Sequence, residues 1–231
     1  MEIRKIVGAT KGEIETKKFN IFIPISLGNK WFTEKNIEKY LIWALEKSKD
    51  KVLVVIADKL HQINVEVKDH YSFEKAKRKV ERISVKLEKE IKEIVNNFNS
   101  QDKERIKILR WEDIDKERKY LFIKNEIYLE FNTNKDFRET ILEIVRESIA
   151  KIENRNFSEN EIVKLSEYVL NELPVFLYGV EHEGKLYNLH PYPVFTKICK
   201  LVNEIQRGKF IDFYNRIDKP HAGIVELITL Q

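Results

Sequence analysis

Two short, almost wholly apolar runs constrain this chain more than any other feature: Phe19-Asn20-Ile21-Phe22-Ile23-Pro24-Ile25 and Lys51-Val52-Leu53-Val54-Val55-Ile56-Ala57. Runs of that length, apolar on both faces, read as buried strands. Between them Ile37, Tyr40, Leu41, Ala44 and Leu45 recur at helical spacing behind an N-cap candidate, Thr33, and the helix is expected to end near Lys47. Strand, helix, strand predicts one βαβ unit with parallel strands and a right-handed crossover. The first strand exits through Ser26-Leu27-Gly28-Asn29, a turn composition.

The alternation continues. An apolar stripe through Phe73, Ala76, Val80, Ile83, Leu87, Ile91 and Ile94 predicts a long helix over about 72–98, and Ile106-Lys107-Ile108-Leu109 a third strand. Helices are expected over 116–131 and 135–152, separated at Asn132-Thr133-Asn134. Ser158 and Glu161 form a capping box that opens another helix, which Pro174 is expected to stop. A turn at Glu183-Gly184, a proline-rich stretch His190-Pro191-Tyr192-Pro193, a last helix to about Gln206 and a closing strand at Ile224–Ile228 complete the pattern. No repeat or linker interrupts it, so a single α/β domain over 1–231 is expected, with a mainly parallel sheet flanked by helices.

Composition removes several function classes. With 231 residues and 42% hydrophobic content the chain can bury a core, which excludes intrinsic disorder. Cys199 is the only cysteine, which excludes a disulfide framework and a cysteine metal cluster and fits a reducing compartment. No run approaches the roughly 18 apolar residues of a membrane span, and Met1 to Lys18 lacks the apolar centre of a secretory signal, so a cytoplasmic protein is expected. The 42 basic residues exceed the 38 acidic ones by too little for a nucleic-acid coat; only clustering on one face would bind a polyanion.

In open parallel sheets ligands gather beyond the carboxyl ends of the strands, where Ser26 sits. Alternation puts Phe22, Pro24 and Ser26 on one side, a hydroxyl beside an apolar wall. Taken alone, a loop serine ahead of a helix is more often a cap than a nucleophile. Tyr168 and Glu172 are four apart and share a helix face. An exposed pair would be the ordinary outcome, but Val169, Leu170, Leu173 and Val175 surround them, so the carboxylate is expected to be partly buried and in need of a cation.

Ser26 followed by Gly28-Asn29, then Tyr168-x-x-x-Glu172-x-Pro174, then Tyr192 twenty residues after Glu172, resembles the tRNA-dependent cyclodipeptide synthases. Asn36, Ile42 and Trp43 in the following helix, the long basic helix and Tyr120 add to a resemblance that covers most of the chain. Tyr192-Pro193 looks like the branch with Tyr-Pro rather than Tyr-His, although Asn29 is commoner in the latter and Pro24 stands where a small residue is usual. The resemblance implies a Rossmann-like fold similar to the catalytic domain of class I aminoacyl-tRNA synthetases. It implies two aminoacyl-tRNAs as substrates of a monomeric enzyme, joined by ping-pong acyl transfer through an aminoacyl-serine at Ser26 and then a dipeptidyl enzyme, with release of a diketopiperazine. Tyr168 and Glu172 would hold the substrate ammonium, Tyr192 would move a proton during cyclisation, and Asn29 and Tyr120 would position. Tyr187 competes with Tyr192 for the cyclisation role. Phe22, Pro24, Trp111, Val175 and His190 would line the first aminoacyl pocket.

No ATP is expected, because His-x-Gly-His, Lys-Met-Ser-Lys-Ser and phosphate-cradling Gly-Lys-Ser/Thr sequences are absent, and an aminoacyl-tRNA ester is already activated. No cofactor or metal is expected either; His61, His70 and His182 lack metal-ligand spacing with Cys199 and receive no role. Lys75, Lys79, Arg82, Lys86 and Lys89 recur at three- and four-residue steps beside the apolar stripe of the long helix and form a candidate tRNA-binding rim, although Glu81, Glu88, Glu90 and Glu93 would equally suit a solvated face. Two rival readings are a serine hydrolase of small esters, which lacks a Gly-x-Ser-x-Gly elbow, and a non-catalytic tRNA-binding module, which leaves Ser26, Glu172 and Tyr192 idle.

Overall fold

A computed structural model of the chain describes residues 1–150, 152 and 155–228. In chain order its elements are β1 (Glu2–Val7), α1 (Lys11–Glu15), β2 (Asn20–Ile25), α2 (Glu34–Lys47), β3 (Val52–Ile56), α3 (Asp58–Lys68), α4 (Phe73–Asn96), α5 (Ser100–Arg105) and β4 (Ile106–Arg110). There follow α6 (Trp111–Ile114), α7 (Arg118–Thr133), α8 (Lys135–Ile149), α9 (Glu159–Tyr178), β5 (Val180–His182), β6 (Lys185–Tyr192), α10 (Lys197–Gln206), α11 (Ile211–Arg216) and β7 (Gly223–Ile228).

The strands form one sheet of order β1-β7-β6-β2-β3-β4, with β5 paired to β6. β2–β3, β3–β4, β2–β6 and β6–β7 are parallel; only β1–β7 and β5–β6 are antiparallel. The predicted βαβ unit is β2-α2-β3, in register from Ile21↔Val52 to Ile25↔Ile56. Its helix starts where Thr33 Oγ1 accepts the Asn36 N–H at 3.4 Å.

Alternation along β2 divides the core. Ile21, Ile23 and Ile25 join Val52, Val54 and Ile56 under Tyr40, Leu41 and Ala44 of α2 and Ala76, Val80 and Ile91 of α4. On the other face Phe22, Leu53, Val55 and Leu109 meet Trp111, Tyr120 and Val175. Beyond them α7 to α11 close a helical core that contains Phe137, Leu170, Leu173 and Phe213.

Several expectations are corrected. Pro174 does not stop its helix: α9 opens at the Ser158–Glu161 capping box and continues to Tyr178 with the proline inside. A proline removes one helical N–H, but this turn is buried and the Tyr120 hydroxyl donates to the Asn171 carbonyl at 2.8 Å, binding the same stretch of backbone from outside. What ends α9 is Gly179, at φ +104, where any side chain would strike the Tyr187 carbonyl oxygen. The proline-rich stretch, for which no element is expected, supplies in His190-Pro191-Tyr192 the end of strand β6. The helix expected over 135–152 closes at Ile149; residue 151 of that expectation, like 229–231 of the expected domain, lies outside the described residues. β1, α3 and the β5–β6 hairpin were not anticipated.

The chain turns from β2 toward β3 and β4 on one side and returns through β6 and β7 on the other, so β2 and β6 flank the point where strand order reverses. The β2–β6 pairing is recorded only at Asn20↔Tyr187 and Ile21↔Leu189. Pro191 has no N–H to extend it. A crevice at the carboxyl ends of two parallel strands follows, which is where α/β sheets bind ligands.

Candidate active site

Ser26 leaves β2 at that crevice and Tyr192 ends β6 on its other side, 166 residues later. Their hydroxyls lie 3.0 Å apart. The loop after the serine is held tightly: the Asn29 N–H donates to the Ser26 carbonyl at 3.3 Å, the Asn29 Oδ1 accepts the Trp31 N–H at 3.0 Å, and Gly28 takes φ +77. A Cβ at Gly28 would sit 3.3 Å from the His61 ring, so the loop and α3 approach at a distance only glycine tolerates well.

Tyr168 and Glu172 enter from α9. Glu172 is 6% exposed, and among the described residues no lysine or arginine lies within ion-pair distance of it. Burial pushes its carboxyl up to about 8. Burial also raises the Tyr192 phenol to about 12, helped by the Glu172 charge and opposed by hydrogen bonding from Ser26 and Asn29. Tyr168 rises well above its ordinary value from burial, then from Glu172 and Tyr192, with Ser26 again opposing. The two phenols therefore stay protonated as hydrogen-bond donors around Ser26. The carboxyl is an acceptor whose missing cation a ligand would supply.

Two cavities meet this group from different sides. One of about 190 Å³ is lined by Ser26, Gly28 and Asn29 with Ile83, Lys86 and Leu87 of α4. The other, about 690 Å³, has Tyr168, Glu172 and Tyr192 in its wall and extends between α8, α9 and α10. The Ser26–Tyr192 contact joins them.

The structure thus brings Ser26, Asn29, Tyr168, Glu172 and Tyr192 together. Tyr187 stays in the core beside Phe22 and Val180. Tyr120 reaches the backbone of α9 rather than Ser26. The residues expected to line the first aminoacyl pocket are largely filled in: the His190 ring lies between Phe22 and Phe176, at centroid distances of 4.9 and 4.5 Å. Both its nitrogens are buried without a hydrogen-bond partner among the described residues, and burial lowers it to about 3, so it is neutral. Phe22, Pro24 and His190 line neither cavity. Trp111 instead lines, with Tyr120 and Asn171, a third cavity of about 440 Å³, while Val175 borders a narrow crevice with Tyr120.

On α4, Lys75 stacks over Tyr71 at 3.8 Å, Lys79 pairs with Asp69 at 2.6 Å, and Lys86 and Lys89 face Glu90 and Glu93 at 3.6 and 3.8 Å. Arg82 is exposed without an ion pair among the described residues. The rim exists, and its own glutamates partly neutralise it.

Sequence reasoning missed Lys5, Lys68, Lys197 and Lys200 around the larger cavity, His61 against the serine loop, and Glu226, which accepts the Phe195 N–H at 3.2 Å. None lies in a local pattern that marks a site; they come from β1, α3, α10 and β7. Among the described residues no group of three or more His, Cys, Asp and Glu could hold a metal ion, and no helix is long and apolar enough to cross a membrane.

The family model described as cyclodipeptide synthase matches residues 7–208. No curated relative matches the chain. A cyclodipeptide synthase from Bacillus thermoamylovorans superimposes with a TM-score of 0.75 at 19% identity, over 98% of this chain and 96% of its own. A Mycobacterium tuberculosis protein, whose structure demonstrates that cyclodipeptide synthetases are related to type I tRNA synthetases, gives 0.69 at 18% identity, over 87% of each chain. One from Candidatus Glomeribacter gigasporarum, bound to Phe-tRNAPhe, gives 0.57 at 16% identity, over 91% and 88%.

Proposed function

Since this chain belongs to the cyclodipeptide synthase family, whose members are tRNA-dependent aminoacyltransferases, we propose that it joins the aminoacyl groups of two aminoacyl-tRNAs into a 2,5-diketopiperazine through Ser26. The likeness to a protein solved with Phe-tRNAPhe supports the substrate class. The observation that carries the reading is the Ser26–Tyr192 pair, 3.0 Å apart at the sheet's reversal point, with buried, unpaired Glu172 in the same wall.

In the first half-reaction Ser26 Oγ attacks the ester carbonyl of an aminoacyl-tRNA. The bond to the ribose oxygen breaks, the serine proton ends on that oxygen, and the tRNA leaves. The α-ammonium of the acyl group lies against Glu172 and Tyr168, which fixes the carbonyl for attack. The ammonium must lose a proton before its nitrogen can attack, and the carboxylate of Glu172, lying against it, is placed to accept that proton and free the amine. That amine attacks the ester of the second aminoacyl-tRNA, forms the amide and releases the second tRNA, leaving the dipeptide on Ser26. The dipeptide's own amine then attacks the serine ester; the ring closes, and Tyr192 returns a proton to Ser26 Oγ.

Asn29 positions the loop and Tyr120 the α9 turn. Phe22, Pro24 and His190 close the floor of a shallow first aminoacyl subsite, whereas Trp111 and Val175 border separate spaces, and Lys75, Lys79, Arg82, Lys86 and Lys89 meet the acceptor arm of the first tRNA. Tyr192-Pro193 supports the Tyr-Pro branch. The enzyme acts as a cytoplasmic, single-domain monomer without ATP, metal or cofactor. Incubation with a mixture of charged tRNAs, followed by mass spectrometry, tests the reading: cyclic dipeptides and an acyl adduct on Ser26 are expected. Complete absence of both overturns it.

A further inference from the structure

The third cavity, about 440 Å³, has no part in the acyl transfer described above. It lies between α3, α4, α6, α7 and α9, and neither Ser26, Glu172 nor Tyr192 borders it. Trp111 and Tyr120 form its inner wall, and both belong to the buried cluster around Phe22 and Val175. Helix α9 divides this space from the larger cavity. Its Lys164, Glu167 and Asn171 recur at steps of three and four toward the third cavity, whereas Leu165, Tyr168, Val169 and Glu172 line the larger one. A volume of this size suits one small molecule.

Most charged groups of this lining are paired with one another. Lys59 pairs with Asp115, Arg110 with Asp58 and, at 2.8 Å, with Glu81, and Lys164 with Glu167 at 2.9 Å. Six carboxylates stand against five basic side chains, so there is no basic excess to hold a phosphate or a longer polyanion. Lys77 and Glu112 are exposed to water, and Glu66 accepts Gln62 Nε2 at 2.8 Å. Two groups remain. Lys124 is half-buried, has no ion pair among the described residues and lies 5.9 Å from the ring centroids of Tyr120 and Tyr128. Burial disfavours its charge, which an adjacent anion would restore. Asn171 Nδ2 donates to the Glu167 carbonyl at 2.6 Å, but Asn171 Oδ1 is buried with no hydrogen-bond partner among the described residues. The Tyr120 hydroxyl does not serve it, because it donates to the Asn171 backbone carbonyl at 2.8 Å.

We infer that the third cavity is a binding site for a free α-amino acid with an apolar side chain, its carboxylate on Lys124 and its ammonium on Asn171 Oδ1. The two unmet groups select that class. A half-buried amine without a partner calls for a full negative charge, and a buried amide oxygen calls for a donor. A molecule that supplies both and adds no net charge to a balanced lining is a zwitterion. Asp115 and Glu167 act on Lys124 through their charge, so they stand near enough to favour the ammonium end as well. Leu60, Ile63, Phe73 and Val80 offer apolar surface to the side chain. Asn171 directly precedes Glu172, so the occupant lies against the helix that carries the carboxyl of the reaction site, on another face.

Binding is measured by isothermal titration calorimetry on the full chain, with free L-leucine and free L-phenylalanine as probes. At least one of them is expected to bind with a Kd of about 1 mM or tighter, and equally well to Ser26→Ala, which cannot be loaded. Lys124→Met removes the charge of a half-buried side chain and keeps its length; affinity is expected to fall about tenfold or more, with the thermal melt preserved. L-Leucinamide lacks the carboxylate, so it should bind the unaltered protein about tenfold more weakly than leucine and be insensitive to Lys124→Met. Glu172→Gln alters a residue of the larger cavity alone and should leave the affinity within about twofold. Absence of binding by both amino acids overturns the inference. Loss with Glu172→Gln and none with Lys124→Met also overturns it, because the amino acid then sits in the reaction site. If Lys124→Met lowers the Tm, the unaltered protein decides: equal affinity for leucine and leucinamide overturns the carboxylate contact and the inference with it. These titrations involve no RNA and no reaction, so a protein that binds leucine through Lys124 yet makes no cyclic dipeptide overturns the acyl-transfer reading while leaving this site standing.

Discussion

Toward α4, Ser26 opens onto a small cavity bordered by an exposed amphipathic helix whose lysines find partners among their own glutamates. Toward α9, the ionisable groups are buried and short of partners: Glu172 has no cation and His190 has no hydrogen bond among the described residues. The first side is cheap to build, because surface ion pairs cost and contribute little. The second keeps groups in states that water would not favour, which is characteristic of sites where a ligand completes the electrostatics. The fold therefore separates an exposed, largely self-paired basic surface from a buried wall of ionisable groups without partners, with the Ser26–Tyr192 contact between them.

The sharpest way to break this contrast is Ser26→Ala. Covalent loading is expected to vanish, and cyclic dipeptide output to fall at least about a thousandfold, while tRNA binding is retained; sustained output in mass spectrometry would remove the centre of the contrast. Next in size is the pH dependence of stability. The Glu172 carboxyl stands at about 8 in the fold against an ordinary 4.5, so the favourable contribution of its protonated form is complete below 4.5 and is lost as pH rises through 8. The full effect is at most about 4 to 5 kcal/mol. Glu172→Gln should flatten the alkaline fall in Tm between pH 5 and 9, and an unaltered slope would mean the carboxylate is already compensated.

A smaller effect is expected on the other side. Changing Lys75, Lys79 and Arg82 to alanine should weaken use of the first aminoacyl-tRNA by about 10- to 100-fold and lower the magnitude of the salt slope by about 2 to 3, leaving acylation by an RNA-free activated ester intact. Equal loss with both substrates would move α4 out of the docking role. The smallest neutral-pH effect is expected from His190→Leu, about 1 kcal/mol or less in either direction, since an unbonded buried imidazole is exchanged for an apolar group of similar size. The sign of its pH effect is opposite to that of Glu172: His190 falls to about 3 from 6.5, so stability present above 6.5 is lost as pH falls toward 3. The leucine variant should lose that part of the acid sensitivity in thermal melts.

Much of this architecture was legible from particular residues. The apolar runs at 19–25 and 51–57 became adjacent parallel strands, and the Thr33 and Ser158 caps opened the helices they predicted. These signals are local: a cap, a period and a buried run act within a few residues. Pro174 misled because its usual effect was judged without Tyr120, 54 positions earlier, beside the same turn. His190-Pro191-Tyr192-Pro193 read only as a proline-rich stretch, because the place of β6 between β2 and β7 depends on strands far away in sequence.

The candidate site divides along the same line. Ser26 at a strand exit and the Tyr168–Glu172 helix face were fixed by local spacing and chemistry. Contact between Ser26 and Tyr192, the desolvation that raises Glu172, the filling of the space between Phe22 and Phe176 by His190, and the rim of lysines from β1, α3 and α10 were decided by tertiary structure alone. The physical reason is that periodicity determines which face of an element is buried, whereas the field and solvent access at one atom are sums over neighbours that only the completed sheet and its helices bring together.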